Sequence, residues 1–268
     1  MEVGDIVFIE KTKMLEDRLA PHIVKYRVND DKAFLVVLSD LHQGLNDRKT
    51  LQRTVQFILT VPNCYVILGG DATNTITRGS KGDITEEWAS GTEQLYTLVE
   101  DLKPLVDNNR LLAVCGNGNH PRRVQDETFI SIEMMLATML GDRSLYKGSM
   151  CLIYFNVNKN CYVGAVVHKG SKRDDFFEYM RYDFLIREHF HLYKTIPKLV
   201  IDHNKFTKKP IVKVAYDIWN GSYQIMPEYC KMAGYRPQLF GTHFIEMDGK
   251  EHTMKVWTDN DFYDIMNR

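Results

Sequence analysis

Short apolar runs alternate with longer amphipathic stretches through the first half of the chain. Three continuous apolar runs are typical of buried strands, at Ala33–Ser39, Cys64–Leu68 and Arg110–Val114. Apolar residues recur at helical spacing over Asp47–Leu59, over Ile84–Val106 in one or two pieces, and over Thr128–Leu140. This alternation of strands and helices predicts a parallel sheet with helices packed outside it.

The second half of the chain changes to short alternating segments. Cys151–Val157 and Tyr162–Val167 predict a strand pair with a turn at 158–160. Further strands are predicted at Phe184–Arg187, Lys198–Asp202, Ile211–Tyr216, Phe240–Met247 and Lys255–Trp257. We therefore predict a mixed α/β fold in which two sheets pack face to face. Residues 33–268 are expected to form one domain, and residues 1–32 a peripheral extension or hairpin.

Composition narrows the class of protein without naming a function. The 268 residues are 44% hydrophobic and 26% charged, as in ordinary soluble globular proteins. A formal net charge of −1 gives no overall basic field for nucleic acid or for an anionic membrane, although it does not exclude nucleic acid. The five cysteines form no CxxC pair, and no apolar run has the length of a signal or membrane segment. We expect a cytoplasmic protein.

Metal-binding side chains follow the predicted strands. They are Asp40 and His42, Asp71 and Asn74, Asn119 and His120, His168, and finally His189 and His191. The carboxyl ends of strands are where ligand sites gather in open α/β sheets. Carboxylate, imidazole and amide donors without a thiolate suit Mn, Fe, Zn, Ni or Co. Two such ions held close together need a bridging carboxylate, because unbridged dications repel strongly.

The motifs DLH, GGDATN and GNH, a later lone histidine and a final H-x-H occur in this order. Together they resemble the calcineurin-like metallophosphoesterases, over roughly Phe34 to His191. The resemblance implies the four-layer architecture of that family, with a two-sheet sandwich flanked by helices. The segments GSKGDITEE and MAGYRPQLFG are similar to a subgroup carried by bacteriophages. If the protein is phage-encoded, its location would be the host cytoplasm.

The resemblance also implies a role for each matching residue. Asp40, His42 and His191 would bind the first metal, Asp71 would bridge, and Asn119, His168 and His189 would complete the second. His120 would face the phosphate as a general acid or charge stabiliser, and Asn74 would be a hydrogen-bond partner beside the bridge. The chain departs from the family at three positions. Glu188 stands where the family has Gly before H-x-H, and Pro121 and Lys169 are the other two departures. Glu188 adds a carboxylate near the metals and leaves the backbone geometry of His189 in question.

Several residues keep an alternative interpretation. His168, taken alone, would by default be interpreted as a core histidine. Arg122 and Arg123 either meet a substrate phosphate or cap and solvate the start of a helix. The stretch from Lys194 to Lys213 holds six lysines and one acid, and is either a track for a phosphate backbone or a solvated face.

The resemblance implies hydrolysis of phosphate esters by hydroxide activated by two divalent metal ions. We expect Mn²⁺ first, with Fe, Zn, Ni or Co as alternatives. The favoured substrate class is a phosphodiester of nucleic acid or a nucleotide. A phosphomonoesterase that acts on a small molecule or a phosphoprotein stays open, as does a non-catalytic binding module on the same fold. No prediction is made for the oligomeric state.

Overall fold

Two sheets packed face to face form the core of the protein. The computed structural model describes residues 13–14, 22–80, 82–115, 118–168, 181–203, 208–237 and 239–266. Within these ranges there is no helix long and apolar enough to cross a bilayer. Most of the predicted extension, residues 1–12 and 15–21, lies outside the described residues.

The first sheet has five strands in the order β11-β10-β2-β3-β4. These strands are β2 (Lys32–Leu38), β3 (Cys64–Leu68), β4 (Leu111–Val114), β10 (His243–Asp248) and β11 (Met254–Thr258). The strands β2, β3 and β4 run parallel, with β4 at the edge, so their carboxyl ends lie at the same end of the sheet. Both β10 and β11 pair antiparallel and close the other side.

The second sheet has six strands in the order β1-β5-β6-β7-β9-β8. They are β1 (Ile23–Val28), β5 (Met150–Val157), β6 (Asn160–Val167), β7 (Phe184–Arg187), β8 (Lys194–His203) and β9 (Pro210–Trp219). The pairs β1–β5, β6–β7 and β7–β9 are parallel, whereas β5–β6 and β8–β9 are antiparallel. The sheet is therefore mixed.

Helices cover the outer face of the five-stranded sheet. The described helices are α1 (Arg48–Thr60), α2 (Gly91–Asp107), α3 (Asn119–Thr128), α4 (Ile132–Met139), α5 (Glu228–Met232) and α6 (Asp259–Met266), with 3₁₀ turns at Ile84–Glu86 and Arg143–Leu145. The helix α1 starts at Asp47, whose side chain accepts a hydrogen bond from the backbone N–H of Thr50. A capping box between Ser90 and Glu93 starts α2.

The alternation of β2 shows how the layers meet. Val36 and Leu38 face the helices, whereas Leu35 and Val37 face the six-stranded sheet, and all four side chains are buried. A strand buried on both faces is a continuous apolar run, which is why the sequence pattern identified it.

The predicted two-sheet α/β sandwich flanked by helices is confirmed. The helix predicted at Thr128–Leu140 is confirmed with a later start: it is α4, which begins at Ile132, because α3 ends at Thr128 and Phe129 has a left-handed φ of 61°. The strand β1 was not predicted, although Val24 and Val28 are buried between the sheets. The division into an extension at 1–32 and a domain at 33–268 stays a prediction.

Candidate metal centre

The predicted site residues meet where strands of both sheets end. Asp40 and His42 follow β2, Asp71 follows β3, and Asn119 and His120 begin α3 after β4. From the other sheet, His168 follows β6, and His189 and His191 follow β7. Chain segments far apart in sequence therefore bring carboxylates and imidazoles to one place.

The first group of possible ligands consists of Asp40, His42 and His191. One donor atom of each residue lies within 4.8 Å of the others. The Oδ1 atom of Asp40 is 3.0 Å from Nε2 of His191, and the ring centroids of His42 and His191 are 5.4 Å apart. Asp40 also accepts hydrogen bonds of 3.2 Å from the backbone N–H of His189, which ties the H-x-H segment to the first strand end.

The second group consists of Asp71, His168 and His189, again with donor atoms within 4.8 Å. The Oδ2 atom of Asp71 is 3.1 Å from Nε2 of His168. Asp71 also belongs to a third set with His42 and His120 that meets the same distance criterion. Donor atoms from both sides of the cluster therefore lie within 4.8 Å of a carboxylate oxygen of Asp71, which is compatible with the predicted bridging role.

Asn74 organises the imidazoles on the first side. Its Oδ1 is 3.2 Å from Nδ1 of His42, and its backbone carbonyl is 2.6 Å from Nδ1 of His120. Both oxygens can only accept, so both histidines carry their proton on Nδ1 and present Nε2 elsewhere. The Nδ2 of Asn74 donates to Glu87 over 2.8 Å, which fixes the orientation of the amide.

Glu188 organises the second side. Its Oε2 atom accepts from the backbone N–H of Gly70 at 2.9 Å and lies 3.2 Å from Nδ1 of His168. The side chain is fully buried. A carboxylate on Nδ1 fixes the ring and leaves Nε2 for a metal. The departure from the family at this position therefore holds a predicted ligand in place, although the family motif gave no sign of this.

The hydrogen-bonding neighbours of Asn119 decide the orientation of its amide. Hydrogen bonding satisfies it when Nδ2 donates to Nδ1 of His189 at 2.7 Å and to Oδ2 of Asp71 at 3.2 Å. In that orientation Oδ1 accepts from Nη2 of Arg123 at 3.2 Å. For Asn119 to bind a metal through Oδ1, the amide must turn by half a rotation and release Arg123.

Left-handed backbone geometry is concentrated at the cluster. Positive φ angles occur at Asp40 (50°), His42 (48°), Asp71 (51°), His189 (75°) and His191 (49°). Such angles are uncommon in residues other than glycine and cost free energy, so the surrounding structure must hold them. Here the backbone of Asp40 donates to Gly70, and that of His42 donates to Asp71, each over 2.9 Å.

Gly118 permits close approach of the third strand end. A Cβ atom at this position would lie 1.9 Å from Oδ1 of Asp71 and 2.2 Å from its backbone nitrogen. With glycine there, the backbone N–H of His120 reaches Oδ1 of Asp71 at 2.9 Å. The GNH motif therefore needs its first residue for space.

Burial and charge set the protonation of the cluster. Burial and the nearby His120 lower the pKa of His42 to about 3. Burial alone would lower the pKa of His168, but Asp71 and Glu188 raise it well above its ordinary value. Burial would also raise the pKa of Asp71, but His168 followed by His120 and His42 lowers it. Burial raises the pKa of Glu188 to about 7, although His168 acts in the opposite direction.

The donor set fits divalent metal ions. The buried Nε2 of His42 has no hydrogen-bond partner among the described residues, while its Nδ1 is held by Asn74. A buried, neutral imidazole nitrogen without a partner is costly unless a cation or other group binds it. The remaining predicted ligands supply oxygen and imidazole nitrogen only, which suits Mn, Fe, Zn, Ni or Co.

The structure separates the two arginines. Arg122 pairs with Asp126 at 2.7 Å on the surface of α3, with more than half of both side chains exposed, and it does not join the cluster. Arg123 donates to Ser80 at 3.0 Å and lines a cavity together with His120 and Asn74. Lys169, where the family has Gly, lies outside the described residues.

This cavity of about 190 Å³ opens beside His120. Its other walls combine apolar and polar side chains, from Leu45, Ile76, Ser80, Gln224, Pro227 and Tyr229. Gln224, Pro227 and Tyr229 come from a segment some hundred residues after α3, and no short motif in the sequence marked them. The cavity therefore adjoins the candidate centre through His120 and Asn74.

Comparison with known proteins gives structural neighbours only. No family model and no curated protein matches the chain. Vps29 from Entamoeba histolytica matches with a TM-score of 0.38 and 15% identity, over 85% of this chain and 94% of that one. A protein serine/threonine phosphatase from Saccharomyces cerevisiae matches with a TM-score of 0.39 and 11% identity, over 89% and 83%.

The NAD nucleotidase of Haemophilus influenzae matches with a TM-score of 0.39 and 10% identity, over 84% of this chain. The chain spans about half the length of that nucleotidase, 49%. These neighbours are calcineurin-like metallophosphoesterases, the family that the motifs resemble. At such low identity and TM-score the likeness carries no functional weight, so the proposal below depends on the side chains of the centre.

Proposed function

We propose that the protein is a metal-dependent phosphoesterase, and that it acts as a phosphodiesterase on nucleotides or nucleic acid. The observation that carries this proposal is the position of Asp71 between two groups of donors, with His42 on one side and His168 on the other. Two divalent ions bound at such a centre activate water and stabilise charge on a phosphate. The chain would hold them with Asp40, His42 and His191 on one side and with Asn119, His168 and His189 on the other.

His120 is proposed to act on the leaving group. Its Nδ1–H is held by the carbonyl of Asn74, so Nε2 is the nitrogen available to a substrate. As an imidazolium, His120 donates the Nε2 proton to the departing alkoxide and becomes neutral, which is general acid catalysis. The same positive charge stabilises the phosphate before the proton moves. A ring nitrogen of His120 also lies within 4.8 Å of donor atoms of His42 and Asp71, as a metal ligand would. The metal content of His120→Ala distinguishes a general acid from a ligand.

The cavity beside His120 offers room for the organic group of an ester. A monoester has one such group and a diester has two, so the cavity suits either ester and the choice of a diester is tested by hydrolysis of both. Arg123 on the cavity wall offers a charged fork to a phosphate oxygen. A phosphomonoesterase is the alternative function. A non-catalytic module is disfavoured because all seven predicted ligand positions carry a donor residue.

The metal and the location belong to the proposal as well. Mn²⁺ is proposed first, with Fe, Zn, Ni or Co as alternatives that suit the same donors. Stripping the protein with a chelator and reloading it with each ion separately distinguishes them, by stoichiometry and by rate. A cytoplasmic location is proposed, in the host if a phage encodes the protein.

Hydrolysis of bis-p-nitrophenyl phosphate compared with p-nitrophenyl phosphate tests the function. The assay is run with Mn²⁺, with EDTA, and with His120→Ala as the control. We expect Mn²⁺-dependent cleavage of the diester, and a kcat about 10² to 10⁴ times lower in His120→Ala with its metal content unchanged. Preference for the monoester would favour the phosphatase alternative. No hydrolysis of either compound with any of the five metals would favour the binding module.

A further inference from the structure

The outer parts of β8 and β9 extend beyond the rest of the six-stranded sheet. The strand β7 pairs with β9 only at Tyr216–Trp219, whereas β8 accompanies β9 along its whole length. Residues 198–202 and 211–215 therefore form a two-stranded segment, here called the ribbon. An isolated pair of strands is only marginally stable in water, so a ribbon of this kind benefits from a further strand.

One face of the ribbon is apolar and exposed. Leu199 lies opposite Val214, and Ile201 lies opposite Val212, so the four side chains share a face. They are 78%, 43%, 72% and 64% exposed, respectively. The same face of β9 carries Ile218, which is buried between the two sheets. The ribbon thus continues the apolar inner surface of the sandwich past the point where the other sheet covers it.

The backbone of β8 faces outward at Leu199 and Ile201. The N–H of Tyr216 donates to the carbonyl of Asp183 on the β7 side, so even-numbered residues of β9 direct their backbone groups away from β8. Their partners in β8 are odd-numbered, as in the pair Pro197–Tyr216. In an antiparallel ladder these are non-hydrogen-bonded pairs, so the odd residues of β8 point N–H and C=O outward. Proline at 197 agrees, since proline is tolerated where the N–H would face the open edge.

We propose that this edge binds a second copy of the chain, with the two β8 strands antiparallel around a two-fold axis at Val200. Leu199 then lies opposite Ile201 of the second copy, and their outward N–H and C=O groups form a hydrogen-bonded pair on each side of the axis. Lys198 lies opposite Asp202 of the second copy, so opposite charges meet twice. The six-stranded sheets of both copies become one continuous sheet, and the edge strand of each is covered.

The register follows from the order of residues in β8. An axis at Lys198 or at Asp202 would bring like charges together at its centre. An axis at Leu199 would place Pro197 opposite Ile201, where its missing N–H removes a hydrogen bond beside the axis. An axis at Ile201 would place Asp202 opposite the apolar Val200. The axis at Val200 alone pairs both charges and keeps the hydrogen bonds beside the axis.

The charges of β8 retain their present contacts in this arrangement. The ammonium group of Lys198 is 2.5 Å from Asp217, and Asp202 is paired with Arg181. An ammonium has three donors and a carboxylate has about four acceptor sites, so contacts with a second copy do not require the present ones to break. The alternative of a phosphate-backbone track is weaker, because Lys198 and Lys213 are already neutralised by Asp217 and Asp183.

The test is the mass of the full-length protein in solution from micromolar to millimolar concentration, by sedimentation or light scattering. We expect the monomer mass at the low end and twice that mass at the high end. Lys198→Asp and Asp202→Lys should each raise the dimer dissociation constant about tenfold or more, because like charges then meet twice. The combined Lys198→Asp, Asp202→Lys protein should dimerise more tightly than either single variant, because opposite charges meet again between the copies.

Two further variants separate this contact from a general loss of structure. Leu199→Pro removes an outward N–H without removing a ladder hydrogen bond to β9, and should give a folded monomer. Lys208→Asp changes charge next to β9 but outside the paired residues, and should leave the mass unchanged. A monomer at every concentration, open-ended larger assemblies, or a double variant that stays monomeric would each overturn the proposal.

Discussion

The two sides of the candidate centre use the same kinds of donor but hold them differently. On the first side a neutral amide orients an imidazole, since Asn74 contacts Nδ1 of His42. On the second side a buried carboxylate does so, since Glu188 contacts Nδ1 of His168 and Asp71 contacts its Nε2. The pKa of His42 is lowered to about 3, while the pKa of His168 is raised well above its ordinary value.

This difference shows that equal composition does not make equivalent sites. Burial and the nearby His120 lower the pKa of His42, so its Nε2 is a buried neutral acceptor without a partner among the described residues. Asp71 and Glu188 instead raise the pKa of His168, so a metal ion at its Nε2 would have to displace a proton. Asp71 belongs to both sides, so its substitution should weaken metal binding on both sides together.

Asp71→Asn should have the largest effect, because it removes the carboxylate common to both sides. We expect loss of bound metal and of diester hydrolysis together, measured by elemental analysis and by the bis-p-nitrophenyl phosphate assay. Asp101→Asn is the matched control, since Asp101 is a buried acid that pairs with Arg48 at 2.8 Å outside the cluster. The control should keep its metal while its melting temperature falls. Retained metal in Asp71→Asn would contradict the bridging role.

Gly118→Ala should have the next largest effect, because the added Cβ would lie 1.9 Å from Oδ1 of Asp71. The turn must then shift, and a misplacement of about 1 Å near reacting groups costs roughly a hundredfold in kcat/KM. Gly91→Ala is the control, since its Cβ would meet only Thr75 at an ordinary 3.8 Å. Unchanged kinetics in Gly118→Ala would show that the position of Asp71 is not limiting.

The sequence predicts the donors but not what surrounds them. Asp40, Asp71 and His189 were found because each follows a buried strand, and strand ends converge in a sheet. The contacts of Glu188 with Gly70 and His168 join residues that are 118 and 20 positions apart in the chain, and no local pattern encodes them. Such contacts depend on how the two sheets pack.

The arginines show the same limit at shorter range. Arg122 and Arg123 are adjacent, but consecutive residues of a helix point in directions about 100° apart. Where the helix begins therefore decides which of them faces the cluster. No helix was predicted over 119–127, so the start of α3 at Asn119 was missed. Similarly, β1 alternates Val24, Tyr26 and Val28 with charged residues, which is typical of a half-buried strand, but residues 1–32 were assigned to a peripheral extension or hairpin.

Glu188→Ala should sharpen the difference between the two sides. Loss of its contact with Nδ1 of His168 should weaken the second metal about 10- to 100-fold and leave the first metal nearly unchanged. Asn74→Ala should do the reverse, through His42. Calorimetric titration with Mn²⁺ measures both sites without turnover. Glu188→Gln keeps an oxygen for Gly70 and His168, so it should recover most of the loss; equal weakening of both metals would contradict separate support.

Arg123→Ala should have the smallest effect of the four, because Arg123 is not a predicted metal ligand. It contacts Asn119 and lines the cavity beside His120. Loss of one charge-assisted contact to a phosphate oxygen should raise KM for the diester about tenfold with little change in kcat. Arg122→Ala is the matched neighbour, and its surface pairing with Asp126 predicts kinetics within about twofold of the unsubstituted protein. Equal effects of the two substitutions would mean that the cavity wall does not meet the substrate, and the diester would then have to bind on another side of His120.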